Sequence, residues 1–106
     1  MTLITELVKL GYVIKSFADK NTKEFWETGK SRGMPPASLR NVAKRKLAAI
    51  HAAVSVEDLR IPPGNRLEQL RGDRIGQHSI RINDQFRVCF LWRDGNAYDV
   101  GITDYH

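Results

Sequence analysis

Between residues 86 and 103 the side chains count in twos. Phe86, Val88, Phe90 and Trp92 alternate with Arg87, Cys89, Leu91 and Arg93. A period of two is the period of a strand with one buried face. Asp94-Gly95-Asn96 follows, with the Asp-Gly pair of a tight hairpin. Ala97 to Thr103 then reads as the returning strand, with Tyr98, Val100 and Ile102 on one side. A hairpin alone cannot bury such a face, so the rest of the chain must supply neighbouring strands and a cover.

The neighbours lie directly upstream. Arg66 to Leu70 reads as a short strand and Gly72-Asp73 as a turn. Gln77 to Ile82 alternates, with His78, Ile80 and Ile82 on one face and Gln77, Ser79 and Arg81 on the other; Asn83-Asp84 turns the chain into the hairpin. Ile61-Pro62-Pro63-Gly64-Asn65 excludes helix and central strand. The cover comes from two helices before that loop. In DKNTKEFWETG, Asn21 is the expected cap, Glu24 completes a capping box and Gly29 ends the helix, with Phe25 and Trp26 packing inward. After Gly33-Met34-Pro35-Pro36, Ser38 is expected to cap a longer helix reaching about Ala53. Leu39, Val42, Ala43, Leu47, Ile50 and Val54 recur there near the helical period and form one stripe. Gly11 to Phe17 reads as a first strand. The order is β-α-α-β-β-β-β, an α+β domain with two helices on one face of an antiparallel sheet. At 106 residues the chain is one domain, with residues 1–11 as a short N-terminal extension.

The uncovered sheet face is then the working face, and charge marks it. The formal net charge is +5. Lys30, Arg32, Arg40, Lys44, Arg45 and Lys46 fall between Thr28 and Leu47 with no acid among them. After Lys46 every base is an arginine, including Arg66, Arg71, Arg74, Arg81, Arg87 and Arg93. Arginine grips phosphate with a planar fork, so a basic helix beside an arginine-bearing sheet points to nucleic acid. The competing reading is a solvated face or a seat for an acidic protein. No apolar run approaches the roughly 20 residues that span a bilayer. The single Cys89 cannot form an internal disulfide, which is the expectation for a reducing cytoplasm.

The sequence ends in Asp104-Tyr105-His106: a carboxylate, a phenol and an imidazole in succession, each able to move a proton. His51 reads as an exposed or cap-side residue, His78 as partly buried and hydrogen bonded, and Cys89 as a packed strand residue. His51, His78 and His106 lack metal-ligand spacing, so no metal or other cofactor is expected.

The run PPGNRLEQLRGDRIGQHSIRINDQFRVCFLW, with YVIKSF before it and DYH at the end, resembles the HigB-type toxins of the RelE/ParE superfamily of bacterial toxin–antitoxin modules, from about Val13 to His106. The resemblance implies a RelE-like α+β domain with two helices on a twisted antiparallel sheet. It implies an endoribonuclease that cuts mRNA in the ribosomal A site and stops translation. It also implies a HigA-type helix-turn-helix antitoxin as partner, through which the complex meets operator DNA.

The family's C-terminal Asp-Tyr-His falls on Asp104, Tyr105 and His106. Its strand arginine falls on Arg87, with Phe86 in place of the usual Trp, and its basic residue before the G-D-R turn falls on Arg71. The chain departs from the pattern at one point. Glu68, in Leu67-Glu68-Gln69-Leu70, stands where well-studied members carry a catalytic histidine. Either Glu68 takes a base role or the site works with fewer groups.

Metal-free cleavage by the ribose 2′-hydroxyl needs a base, an acid for the 5′-oxygen and cations around the phosphorane. His106 and Asp104 can exchange protons, each as acid or as base; Tyr105 can donate or stack, and Arg87 and Arg71 can stabilise charge. Lys30, Arg32, Arg40, Lys44, Arg45, Lys46 and Arg81 can hold RNA or the ribosome. Two rival classes remain: a ParE-like toxin that binds DNA gyrase, and a catalytically weak module that only binds its antitoxin.

Overall fold

The computed structural model describes residues 13–105. Met1 to Tyr12, including the expected extension and the start of the expected first strand, and His106 lie outside the described residues. The elements in chain order are α1 (Lys20–Thr28), α2 (Arg40–Ala52), β1 (Glu68–Gln69), β2 (Gln77–Arg81), β3 (Phe86–Arg93) and β4 (Asn96–Asp104). The strands form one antiparallel sheet in the order β1-β2-β3-β4. Asp94 and Gly95 turn between β3 and β4 with φ of 54° and 78°, the left-handed pair that a twisted hairpin requires.

Residues 13–18 extend the far edge of the sheet beside β4 in parallel, through bridges at Ile14–Ala97 and Phe17–Val100. Lys15 N donates to Ala97 O at 2.8 Å, and Ala18 N donates to Val100 O at 2.9 Å. The pairing is broken rather than continuous because β4 carries a bulge. Asp99 takes φ of 53°, and its N–H leaves the ladder for Ser16 Oγ at 2.9 Å. Asp99 and Val100 together occupy the place opposite Phe90, between the pairs Leu91–Tyr98 and Cys89–Gly101. Simple alternation therefore fails at this point. Ala97, Val100 and Ile102 enter the core, while Tyr98 turns to the other face, under the Arg93 guanidinium at 4.8 Å. The expectation that Tyr98 shares a side with Val100 is corrected by this one residue.

The core lies between the helices and the sheet. Phe25 of α1 and Ala43, Leu47 and Ile50 of α2 meet Ile80, Ile82, Phe86, Val88 and Phe90. Val54 is 63% exposed, contrary to the expected stripe, because α2 stops at Ala52 and Ala53 is extended and buried in its stead. Both expected caps are also corrected. Asp19 caps α1, its Oδ1 accepting from Thr22 N at 2.7 Å, because the helix begins before Asn21. Glu24 does not close a capping box; it forms a two-point ion pair with Arg32, at 2.7 and 3.2 Å. A short 3₁₀ turn, Ala37–Leu39, takes Ser38 into itself, so Leu39 precedes α2 with no side-chain cap. Gly29 ends α1 at φ of 80° as expected.

The expected strand from Arg66 to Leu70 contracts to β1, because Arg66 is left-handed, with φ of 45°. Among the described residues, no helix is long and apolar enough to cross a membrane.

Candidate active site

Arg87 stands at the centre of the sheet face turned away from the helices. Its side chain is only 11% exposed. Nε donates to Ser79 Oγ at 2.8 Å, across the β2–β3 ladder. Nη2 donates to Ser79 O at 3.3 Å and to Arg66 O at 2.5 Å. The left-handed turn at Arg66 is what aims that carbonyl at the guanidinium. Ser79 is fully buried, so Arg87 is held against a fixed wall rather than waving in solvent.

Two further polar side chains meet this arginine. Glu68 pairs with Ser79 across β1–β2 and so shares its face; its Oε1 lies 3.8 Å from Arg87 Nη2. Tyr105 continues past β4 on the same face, with its ring centroid 5.9 Å from Arg87 Cζ. Its hydroxyl lies 3.8 Å from the buried Cys89 Sγ. Burial first, then the Cys89 thiol, push the Tyr105 phenol above its ordinary value, and Arg74 and Arg87 pull weakly the other way. At neutral pH Tyr105 is therefore a hydrogen-bond donor and not a phenolate base.

The remaining expected residues divide. Arg71 is exposed just before the Gly72–Arg74 turn and lines a shallow cleft with Gln69, Leu70 and Ile75. Asp104 does not face Arg87. It pairs with Phe86, on the helix-side parity, and its Oδ2 accepts from Gln85 Nε2 at 3.2 Å. The structure thus brings Arg87, Glu68 and Tyr105 together and holds Asp104 at the sheet's end. Arg81 forms an ion pair with Asp84. Of the basic set, Lys30, Arg40, Lys44 and Arg45 are exposed on or before α2. Lys46 instead donates to Asn65 Oδ1, tying α2 to the proline loop, and burial pushes its pKa down.

The other histidines lie on the helix side. His51 is half-buried: its Nδ1 accepts from Ile14 N at 3.2 Å and its ring meets Trp26 edge-on at 5.3 Å, which corrects the exposed reading. His78 stacks on Phe90 at 6.0 Å with Nδ1 buried and without a hydrogen-bond partner. It was expected to be partly buried and hydrogen bonded; it is partly buried, and a backbone hydrogen bond at Gly76 acts on the ring while Nδ1 is left without a partner. Sequence reasoning missed Ser79 and the Arg66 carbonyl. The alternation that puts Ser79 on Arg87's face was available, but a backbone carbonyl leaves no mark in a sequence. Among the described residues, no group of three His, Cys, Asp or Glu side chains could hold a metal.

A small antiparallel sheet under two helices has known counterparts. YafQ from Escherichia coli BL21(DE3) superposes with a TM-score of 0.58 at 12% identity, over 88% of this chain and 92% of that one, which establishes the shared fold. The family model described as "RelE-like toxin of type II toxin-antitoxin system HigB" matches residues 15–106, and the chain belongs to this family. It is similar to Toxin HigB-1 of Vibrio cholerae, with 47% identity over 81 residues, 76% of this chain and 85% of that protein. It is also similar to Endoribonuclease HigB of Proteus vulgaris, with 35% identity over 98 residues, 89% of this chain and all of that protein. As a toxin of a type II module it has an antitoxin as partner.

Proposed function

We propose that this toxin is a ribosome-dependent endoribonuclease that cuts mRNA in the A site without a metal. The observation that carries the reading is Arg87: a nearly buried cation, pinned by Ser79 and Arg66, with a carboxylate and a phenol against it. Such a cation stabilises charge that develops on a phosphorane, and it does so without reorganising. The name of the Proteus vulgaris relative supports the same chemistry.

In this reading the 2′-hydroxyl attacks the adjacent phosphorus, giving a 2′,3′-cyclic phosphate and a free 5′-hydroxyl. Arg87 neutralises the phosphorane, and Arg71 adds a second cation. Tyr105, protonated, donates to a phosphate oxygen or stacks on a base. His106 moves the proton at a reacting oxygen, Asp104 orients it from the sheet's end, and Glu68 stands in for the family histidine as a base beside Arg87. The exposed bases Lys30, Arg40, Lys44 and Arg45 dock the domain on ribosomal RNA. The partner is a HigA-type helix-turn-helix antitoxin, which carries the complex to operator DNA. The whole chain acts as one domain in the cytoplasm.

The test is cleavage of mRNA on purified ribosomes with an empty A site, with and without EDTA. Wild type is expected to cleave in both conditions, while His106→Ala and Arg87→Lys each lose about a hundredfold or more. Growth arrest without cleavage would move the target to gyrase or another protein. Full activity of Arg87→Lys would remove the central claim.

A further inference from the structure

The turn between β2 and β3 does more than reverse the chain. Ile82 N and Asn83 N both donate to Phe86 O, at 2.9 and 3.2 Å, which closes the turn. Inside it, Asn83 Oδ1 accepts from Gln85 N at 2.9 Å and Phe86 N at 2.8 Å. A side-chain oxygen gripping two successive amides fixes the backbone at Gln85. Gln85 spends that rigidity on the end of β4. Its carbonyl accepts from Tyr105 N at 2.7 Å, and its Nε2 donates to Asp104 Oδ2 at 3.2 Å. One residue therefore holds two successive residues of the terminal Asp-Tyr-His, one through its backbone and one through its side chain.

This matters because both residues are exposed, Asp104 at the last pair of the ladder and Tyr105 just past it, where a strand end frays. The Tyr105 ring reaches Arg87 and Cys89 only while the backbone keeps its direction past Asp104. His106 is joined to Tyr105 by the next peptide bond. We propose that Gln85 is a positioning residue, clamping Asp104 at the sheet's end and the Tyr105 backbone beyond it so that the Tyr105 ring meets Arg87; its catalytic consequence rests on the nuclease reading above.

The experiment uses the full chain and two variants. Gln85→Ala removes the side-chain bond and leaves the carbonyl, so folding is expected to persist with the thermal midpoint little changed. Asn83→Ala loosens the turn that presents the carbonyl. In the ribosome assay Gln85→Ala is expected to lower kcat about tenfold with KM within about twofold, because a tail displaced by a fraction of an ångström still binds RNA but reacts poorly. Combined with Asp104→Ala, the loss is expected to be less than the product of the two single losses, since both remove the Gln85–Asp104 bond. Wild-type kcat in Gln85→Ala, or fully multiplicative losses, overturns the clamp.

A second readout does not depend on cleavage. Carboxypeptidase is expected to trim the C-terminus several-fold faster in Gln85→Ala and in Asn83→Ala than in wild type, at equal global stability. Unchanged trimming in both variants also overturns the clamp. A wild type that fails to cleave sinks the nuclease reading, and the clamp is then decided by trimming alone.

Discussion

His78 shows how a single side chain sets a dependence on pH. Burial holds its imidazole below the ordinary value of 6.5, and burial with the nearby Lys15 charge does the same for His51. Both rings are therefore favoured neutral in the folded chain. The stability they contribute is present above the unfolded value and is lost as pH falls through the lower folded values, because the unfolded chain then binds more protons. The thermal midpoint is expected to drop between about pH 7 and pH 5. His78→Phe keeps a ring on Phe90 and removes one titrating group, so its midpoint should fall less steeply; an identical slope in a melting series would contradict this. At this scale much was legible. Arg87, Tyr105 and Glu68 were singled out from residue type and resemblance, and the structure brings them onto one face. Ser79 and the Arg66 carbonyl were not, because a hydroxyl and a backbone oxygen become partners of Arg87 only once three strands are aligned.

The link between α1 and the last strand belongs to the scale of elements. Asp19 caps α1 at Thr22 N, and its second oxygen accepts from Thr22 Oγ1 at 3.2 Å. That hydroxyl, fully buried, accepts in turn from Ile102 N at 3.2 Å. Gly101 beside it leaves room for the approach: a Cβ there would meet Ala18 Cβ at 2.9 Å. Asp19→Ala is expected to cost about 1–2 kcal/mol, the upper range for a lost cap, since the Thr22 hydroxyl loses its orienting partner as well. Chemical denaturation measures this, and a change below a few tenths would show that the cap is idle. The periodic elements were legible because their pattern is local: the β3 alternation and the α2 stripe each repeat within a few residues. Caps and ends were not. Whether Asp19 or Asn21 starts α1 depends on where residues 13–18 leave the sheet, which no local pattern records.

The whole molecule divides its basic charge unevenly. Arg32, Lys46 and Arg81 are tied to Glu24, Asn65 and Asp84, whereas Lys30, Arg40, Lys44 and Arg45 remain exposed. Of these seven bases, only the second set can meet phosphates without first breaking a contact. Lys44→Ala with Arg45→Ala is expected to raise KM on ribosomes, leave kcat unchanged and flatten the dependence of log KM on log salt by about 1.5 to 2. A change in kcat with an unaltered salt slope would place the RNA contacts elsewhere. Charge composition announced such a surface, but it could not show which bases the fold keeps for itself.

The odd count in β4 carries a further consequence, for chains other than this one. Tyr98 and Tyr105 are an odd number of positions apart and still share a face, because Asp99 is supernumerary to the ladder. Asp99 is thus the place where β4 can be one residue shorter with every β3 pair retained. An alignment of related chains that sets its gap further along would exchange Asp104 for Tyr105, and so read a residue held at the sheet's end as the one that lies against Arg87.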